Sequence, residues 1–163
     1  YRLVENVLDF SRIEEGRKTY SLERHSLNDL VASAVQPFEG RDVEIAVRLP
    51  AAPVMAEVDA EAVVRAVQNL IENAVKYGKG PIEVTLAGTA ITVSDRGPGI
   101  PPEERERIFE KFYRGSAAGG PSGGAGLGLA LVKHVAEAHG GSVRVDCDPG
   151  KGTRFTICLG SSS

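Results

Sequence analysis

The chain has 163 residues, of which 42% are hydrophobic, and its 19 basic and 22 acidic side chains give a formal net charge of −3. This length and composition fit one soluble domain with its own core, and the slight acidic excess argues against a nucleic-acid-binding domain, which needs basic side chains to neutralise phosphates. No apolar run approaches the roughly 20 residues of a membrane span, and the N-terminus lacks the pattern of a signal peptide.

The N-terminal segment predicts an amphipathic helix with Leu3, Val7 and Phe10 along one seam. A single helix of this length cannot bury such a seam by itself. We therefore expect the end of a dimerising helix whose partner lies outside this sequence, with docking on its own domain as the alternative. The predicted division is a helix over 1–17, a main domain over 18–160 and a tail over 161–163.

The rest of the chain predicts three main helices and six or seven short strands. Ser26 or Asn28 can cap the first helix and Asp59 the second. The 3-and-4 spacing of apolar residues places these helices at about 27–38, 60–77 and 127–139. Alternating apolar residues predict strands near 20–23, 43–49, 54–58, 82–86, 91–93, 143–145 and 155–159. The late strands are hairpin-linked, which indicates an α+β two-layer sandwich, with helices on one face of a mixed, largely antiparallel sheet.

The two cysteines lie in alternating apolar segments. Cys147 and Cys158 lack the C-x-x-C spacing of a metal or redox site. We interpret both as small buried hydrophobic residues.

The second main helix carries a polar stripe made of Asn69, Glu72, Asn73 and Lys76. Their spacing of three and four residues puts them on one helix face. Two amides and a lysine can supply an oxygen ligand for Mg²⁺ and a positive charge for phosphate. Ordinary solvated surface is the alternative.

Asp95 ends a predicted strand and is followed by Gly97 and Gly99. Glycines let a ligand approach the backbone closely. A carboxylate on a pocket floor can accept a hydrogen bond from the amino group of adenine, whereas the carbonyl oxygen of guanine would face it as a second acceptor. The alternative is that Asp95 only starts an Asx turn.

A long loop and a glycine-rich helix start follow. The loop over about 98–125 is rich in Gly, Ala, Ser and Pro, and its length is typical of a lid. The aromatic residues Phe109, Phe112 and Tyr113 could anchor it, while Lys111 or Arg114 reaches towards phosphate. Residues 124–129 open a helix whose free N–H groups suit phosphate, although they form neither a dinucleotide fingerprint nor a P-loop.

In this order, the segments resemble the catalytic ATP-binding domain of bacterial sensor histidine kinases. The wider family also holds DNA gyrase, the heat-shock ninety chaperones and the mismatch-repair ATPases. The resemblance covers nearly the whole chain. It matches an N box at 69–77, a first glycine box at 95–100, an F box at 109–114, a second glycine box at 124–129 and a closing strand at 152–155. Residues 3–12 are similar to the second helix of the dimerisation and phosphoacceptor hairpin.

The resemblance implies roles for the motif residues. Asn73 would hold Mg²⁺, assisted by Asn69, and Asp95 would accept the amino group of adenine. The candidate catalytic residues are Asn69, Glu72, Asn73, Lys76 and Arg114, of which Lys76 would contact phosphate and Arg114 the γ-phosphate. The other predicted ATP-binding residues are Tyr77, Gly97, Gly99, Ile100, Lys111, Phe112, Tyr113, Gly124, Gly126, Leu127, Gly128 and Leu129.

The activity implied by the resemblance is transfer of the γ-phosphoryl group from Mg-ATP to a histidine on the dimerisation helix. The implied partners are the dimerisation and phosphoacceptor domain of the same protein, a second copy in a homodimer, and the receiver domain of a response regulator. The resemblance also implies the cytoplasmic domain of a bacterial inner-membrane sensor, which meets the membrane only through upstream segments.

Two departures from the family pattern stand out. Gly78 occupies a position that often holds Ser or Thr, and the phosphoacceptor helix is missing. We interpret His25, His134 and His139 as surface or helix-end residues rather than as the acceptor.

Three alternatives remain open. An ATP-hydrolysing clamp would carry a glutamate base where this chain has Asn69, although Glu72 is near; an amide cannot abstract a proton from water. A related serine kinase and a nucleotide-binding module with a dead site are the others.

Overall fold

A computed structural model describes residues 2–16, 18–78, 80–110, 127–147 and 152–160. Six predicted lid and glycine-box residues lie outside these ranges: Lys111, Phe112, Tyr113, Arg114, Gly124 and Gly126. Among the helices within these ranges, none combines the length and the apolar character that a membrane crossing requires.

Four α-helices form in the described ranges: α1 (Arg2–Glu14), α2 (Leu27–Val35), α3 (Ala60–Tyr77) and α4 (Gly128–Ala138). The predicted caps are confirmed, because Ser26 Oγ accepts from the Asp29 N–H at 3.3 Å and Asp59 Oδ1 accepts from the Ala62 N–H at 3.0 Å. Asn28 is not a cap. Its side chain instead accepts from the Val54 N–H at 3.0 Å. Short 3₁₀ turns cover Gln36–Phe38, Pro102–Glu104 and Arg107–Phe109.

The described strands are β1 (Glu23–Ser26), β2 (Ile45–Arg48), β3 (Met55–Val58), β4 (Ile82–Ala87), β5 (Ala90–Ser94), β6 (Ser142–Cys147) and β7 (Thr153–Cys158). Five of them form one sheet in the order β2-β4-β5-β7-β6, in which only the β2–β4 pair is parallel. The other two, β1 and β3, form a small antiparallel ribbon. The predicted mixed, largely antiparallel sheet is confirmed.

The predicted position of the first strand was wrong. The strand begins at Glu23, which pairs with Val58, instead of covering 20–23. Tyr20 and Ser21 have other partners, because the Tyr20 hydroxyl lies 2.7 Å from His134 and the Ser21 N–H donates to Asp59. Contacts with distant residues therefore displaced a strand that the local pattern placed three residues earlier.

The core lies between the sheet and the helices α2, α3 and α4. One cluster of buried apolar side chains joins Val31 of α2 and Leu70 of α3 to Val132 of α4 and to the sheet residues Val84 and Ile157. This continuous core confirms the predicted two-layer α+β sandwich.

Helix α1 lies on its own domain through polar side chains. Asn6 and Asp9 are buried against α3, whereas Val4, Val7 and Leu8 are 61%, 46% and 54% exposed. The structure therefore has the docking that the sequence offered only as an alternative. The partner helix for the exposed apolar side remains a prediction.

The interpretation of both cysteines as buried hydrophobic residues was wrong. Cys147 and Cys158 are free thiols and only partly buried. Each lies at the last position of its strand.

Candidate functional site

The end of β5 fixes the backbone of Asp95. Its N–H donates to the Thr153 carbonyl at 3.0 Å, and the Thr153 N–H donates back at 3.3 Å. These bonds extend the β5–β7 pairing by one residue beyond Ser94. Gly152, the residue before Thr153, has a φ of +92°. A Cβ added at Gly152 would overlap the carbonyl oxygen of Asp95. Only glycine therefore fits at position 152.

The Asp95 carboxylate makes the Asx turn that the sequence offered as an alternative. Its Oδ1 accepts from the Gly97 N–H at 2.7 Å. Among the residues that the structure describes, none donates to the other oxygen, Oδ2, within hydrogen-bonding distance, although the Thr153 N–H is near enough to lower the pKa of the carboxyl. Burial raises the pKa of Asp95, while backbone N–H groups of Gly97 and Thr153 oppose that rise. The turn and a ligand-accepting role are thus compatible.

Gly78 makes room for Asp95. A Cβ added at Gly78 would lie 2.5 Å from Asp95 Cγ, and one added at Gly97 would lie 2.8 Å from the Cα of Gly78. Gly78 has extended backbone angles that any residue could adopt, so the space beside Asp95 is the reason for glycine. In this chain, therefore, the packing beside Asp95 leaves no room for a side chain at position 78.

The predicted polar stripe of α3 changes from buried to exposed along the helix. Asn69 is buried, Glu72 and Asn73 are half-buried, and Lys76 is exposed. Asn69 Oδ1 accepts from the Asn6 side chain of α1 at 3.3 Å. The structure therefore brings the four residues to one helix face but pairs the first of them with α1.

Asn73 has the chemistry of a magnesium ligand. Its half-buried amide forms no hydrogen bond with any residue in the described ranges, although amides away from water usually have a partner. Within those ranges, no three His, Cys, Asp or Glu side chains cluster as a metal site. Mg²⁺ often takes one or two protein oxygens and completes its shell with phosphate and water. The donor set here fits a magnesium ion that arrives with a phosphate ligand.

The start of α4 lies beside this face. Gly128 is its first residue, and a Cβ added there would lie 3.7 Å from Asn69. Leu127 is buried, and among the residues that the structure describes no side chain caps the helix. The N–H groups of the first turn can therefore meet an anion. Leu129 is half-buried and packs on the core.

Two further predicted residues lie at the two ends of the loop that follows β5: Tyr77 beside its start and Ile100 at its far end. Tyr77 is the half-buried last residue of α3, and its carbonyl oxygen would lie 3.0 Å from a Cβ added at Gly97. Ile100 is half-buried and packs against the core, after Gly99 with its φ of +83°. The end of α3 and the loop after β5 thus meet at one corner.

Sequence reasoning missed the polar contacts between α1 and α3. Besides the Asn6–Asn69 pair, Asp9 forms an ion pair with Arg65 and lies 3.5 Å from Lys18. Asn6 and Asp9 are three residues apart, and Arg65 and Asn69 are four apart, so each pair lies on one helix face. Matching polar pairs at helical spacing are the signal that could have identified this contact.

Two of the three histidines have hydrogen-bond partners within the fold. His139 is 8% exposed; its Nδ1 lies 2.7 Å from the Val135 carbonyl, and its Nε2 accepts from the Asp59 N–H at 3.0 Å. His134 lies 2.7 Å from the Tyr20 hydroxyl, and burial lowers the pKa of its ring. His25 is half-buried on β1. Contacts within the fold therefore account for His134 and His139.

A separate cavity of about 350 Å³ opens between α1 and the first half of α3. Its lining includes Asp9, Arg12, Lys18, Asp59 and Arg65. Both acidic and basic side chains line it, and Asn69 joins them where the cavity reaches the polar face of α3.

Comparison with known proteins places this geometry in a family. The sequence profile of the histidine kinase-, DNA gyrase B- and HSP90-like ATPases matches residues 58–162. The sensor-like histidine kinase SenX3 of Mycobacterium tuberculosis is 34% identical to this chain in an alignment 168 positions long. The alignment covers 96% of this chain and 41% of SenX3. This chain thus spans less than half the length of that relative.

Solved structures give the same answer. A mycobacterial sensor histidine kinase, MprB, superposes with a TM-score of 0.73 at 32% identity, covering 87% of this chain and 99% of that one. Full-length ShkA in complex with AMPPNP gives a TM-score of 0.77 at 29% identity, covering 99% of this chain and 36% of that one. The chain belongs to the histidine kinase-, DNA gyrase B- and HSP90-like ATPases, as an ATP-binding catalytic domain of the sensor histidine kinase kind.

Proposed function

We propose that this domain binds Mg-ATP at the corner between β5 and α3 and donates the γ-phosphoryl group to a histidine outside this sequence. The observation that carries the proposal is the Asp95 carboxylate. Its backbone is fixed by Thr153 and its Oδ1 is held by Gly97, whereas no described residue donates a hydrogen bond to Oδ2 within bonding distance.

Asp95 gives the site its preference for adenine. An ionised carboxylate accepts hydrogen bonds and cannot donate them, so Oδ2 suits the amino group of adenine and opposes the carbonyl oxygen of guanine. Gly78 and Gly97 keep side-chain atoms out of the space beside it. We therefore expect ATP to bind more tightly than GTP.

The phosphates would lie between α3 and the start of α4. Asn73 would contribute an amide oxygen to Mg²⁺, which offsets phosphate charge when bound, and Lys76 would add a positive charge. The uncapped first turn of α4 at Gly128 would donate N–H groups to phosphate oxygens. Asn69 could assist through the second lone pair of its Oδ1, which already accepts one hydrogen bond from Asn6.

The proposed reaction is an in-line phosphoryl transfer. The imidazole nitrogen of the acceptor histidine attacks the γ-phosphorus, the bond from that phosphorus to the β–γ bridging oxygen breaks, and ADP leaves. Such transfers depend mainly on positioning and charge stabilisation. A hydrolysing clamp is less well supported, because Asn69 stands where its carboxylate base would be.

The acceptor would be supplied by the dimerisation domain of the same protein in a homodimer. A receiver domain would then take the phosphoryl group on an aspartate. We place the domain on the cytoplasmic side of a sensor protein, where ATP is available.

Calorimetric titration of the 163-residue chain with Mg-ATP and Mg-GTP tests the binding step. We expect saturable binding of ATP and at least about tenfold weaker binding of GTP, the equivalent of losing one good hydrogen bond. Equal affinity for the two nucleotides would contradict the role of Asp95.

In the full-length protein, labelled phosphate should appear on the protein as an acid-labile adduct, whereas rapid release of free phosphate without labelled protein would favour the hydrolysing clamp.

A further inference from the structure

The loop after β5 crosses the end of the sheet. Asp95 and Cys147 both lie opposite Thr153, one on each side of β7. Adjacent strands are about 4.8 Å apart, so a loop that leaves Asp95 must cross roughly 10 Å to reach Cys147. Residues 95–100 make this crossing, and Ile100 meets β6 at its end.

Ile100 is held there by a side chain instead of a backbone partner. Its N–H donates to Cys147 Sγ at 3.4 Å, and the thiol lies 3.1 Å from the Ile100 carbonyl oxygen, to which it donates. A thiol is a weak donor and a weak acceptor, so one sulfur can serve both backbone groups. Ile100 is half-buried, and its polar backbone groups need such partners.

Arg105 also hydrogen-bonds to both Cys147 and Ile100. Its Nη2 donates to the Cys147 carbonyl at 2.8 Å, and its Nε donates to the Ile100 carbonyl at 3.4 Å. One half-buried guanidinium therefore joins the end of β6 to the loop. The planar fork of arginine can bridge two acceptors, which the single ammonium group of lysine does less well.

We propose that Cys147 and Arg105 are positioning residues for ATP: together they form a clamp that fixes the loop 95–100, and with it the face that Asp95 offers to adenine. This inference rests on the proposed function. Neither residue touches the nucleotide in this account, and both act through Ile100.

Five proteins test the clamp: wild type, Cys147→Ala, Cys147→Ser, Arg105→Ala and the matched control Cys158→Ala. Serine keeps a donor and an acceptor on the same carbon, whereas alanine leaves the Ile100 N–H without a partner. Cys158 ends β7 and is a free, partly buried thiol like Cys147, but it forms no hydrogen bond with Ile100.

Hydrogen exchange of the Ile100 amide, measured without nucleotide, tests directly whether the clamp holds Ile100. We expect exchange at least about fivefold faster in Cys147→Ala and Arg105→Ala, and near wild-type rates in Cys147→Ser and Cys158→Ala. An unchanged rate in Cys147→Ala would overturn the clamp, whatever the protein binds. If Cys147→Ala does not fold, the comparison is between Cys147→Ser and Cys158→Ala. Faster hydrogen exchange of the Ile100 amide in Cys147→Ser would then also overturn the clamp.

Calorimetric titration then measures how loss of the clamp changes the affinity for Mg-ATP. We expect affinity about fivefold lower for Cys147→Ala and Arg105→Ala, with recovery in Cys147→Ser. In the full-length kinase the KM for ATP should rise by the same factor while kcat stays constant. Wild-type affinity in Cys147→Ala would overturn the positioning role. Failure of the wild-type chain to bind ATP would instead contradict the proposed function, and the exchange data would still decide the clamp.

Discussion

Asp95, where the loop after β5 begins, and Asn69, on the polar face of α3, are both motif residues, but different kinds of contact hold them in place. Asp95 is fixed through its backbone by Thr153 and by glycines that leave no other room. Asn69 is placed by a side-chain hydrogen bond to Asn6 on another helix. A residue fixed through its backbone keeps its place whatever its side chain binds, whereas a side-chain contact can exchange partners. The first region is therefore a preformed binding surface, and the second depends on where α1 lies.

Asp95→Asn is expected to give the largest effect at the preformed surface. The variant amide can still accept from Gly97, but it offers adenine a donor where the carboxylate offered an acceptor. We expect the affinity for Mg-ATP to fall about 100-fold, or about 2–3 kcal/mol. Calorimetry measures this, and an affinity within threefold of wild type would show that Asp95 does not contact the base.

The same variant should not lose stability. Because the pKa of Asp95 is raised by burial above its usual 3.8, the ionised carboxylate disfavours folding at neutral pH. This penalty disappears as the pH falls below the unfolded value, where Asp95 is protonated in both states. Asp95→Asn removes the charge, so its melting temperature at pH 7 should equal or exceed that of wild type. A clearly lower melting temperature would mean that the charge stabilises the fold.

Asn73→Ala tests the metal contact on α3. We expect about tenfold weaker Mg-ATP binding, because one protein ligand of the ion is lost. Chelation of magnesium should weaken ATP binding to wild type and change the variant little. Gln36→Ala, which removes an exposed amide distant from the site, is the control. Equal sensitivity to chelation in both variants would contradict a role for Asn73 in metal binding.

Asp9→Ala should loosen the contact between α1 and α3. Asp9 is buried and pairs with Arg65 and Lys18, so its loss should cost about 1–2 kcal/mol locally. Hydrogen exchange in the middle of α1 should then be about tenfold faster. Ser11→Ala, at an exposed position of the same helix, is the control. Unaltered exchange in Asp9→Ala would mean that these ion pairs do not hold α1.

The smallest effect is expected at Asp59, which caps α3. Burial raises the pKa of this carboxyl, but hydrogen bonds from the Ala62 and Ser21 N–H groups, with Lys18 and His139 nearby, lower it below 3.8 overall. A lowered pKa contributes stability that is present above the unfolded value near 4 and is lost as the pH falls through the folded value. Asp59→Asn should therefore reduce the loss of melting temperature between pH 5 and pH 3. If the melting temperature fell equally with pH in Asp59→Asn and in wild type, the result would contradict this contribution.

Local pattern was enough for the elements that depend on neighbours in sequence. The alternation before Asp95 and the glycines after it predicted a strand that ends in a tight turn, and Asp59 marked the start of α3. Distant contacts decided the rest. Nothing near Asn69 indicates that Asn6 takes its amide, and nothing near Cys147 indicates that its thiol bonds to Ile100. The start of β1 moved for the same reason, since Val58 sets its pairing.

The central claim is that adenine nucleotide binds across the ends of β5, β7 and α3. Titration of the isotopically labelled 163-residue chain with Mg-ATP, followed by backbone amide resonances, tests it most directly. We predict that the largest shifts occur at Gly78, Gly97, Ile100 and Thr153, with weaker changes at Asn6 and Asp9. Shifts confined to residues around the cavity between α1 and α3, or no saturable shifts at millimolar nucleotide, would contradict the account.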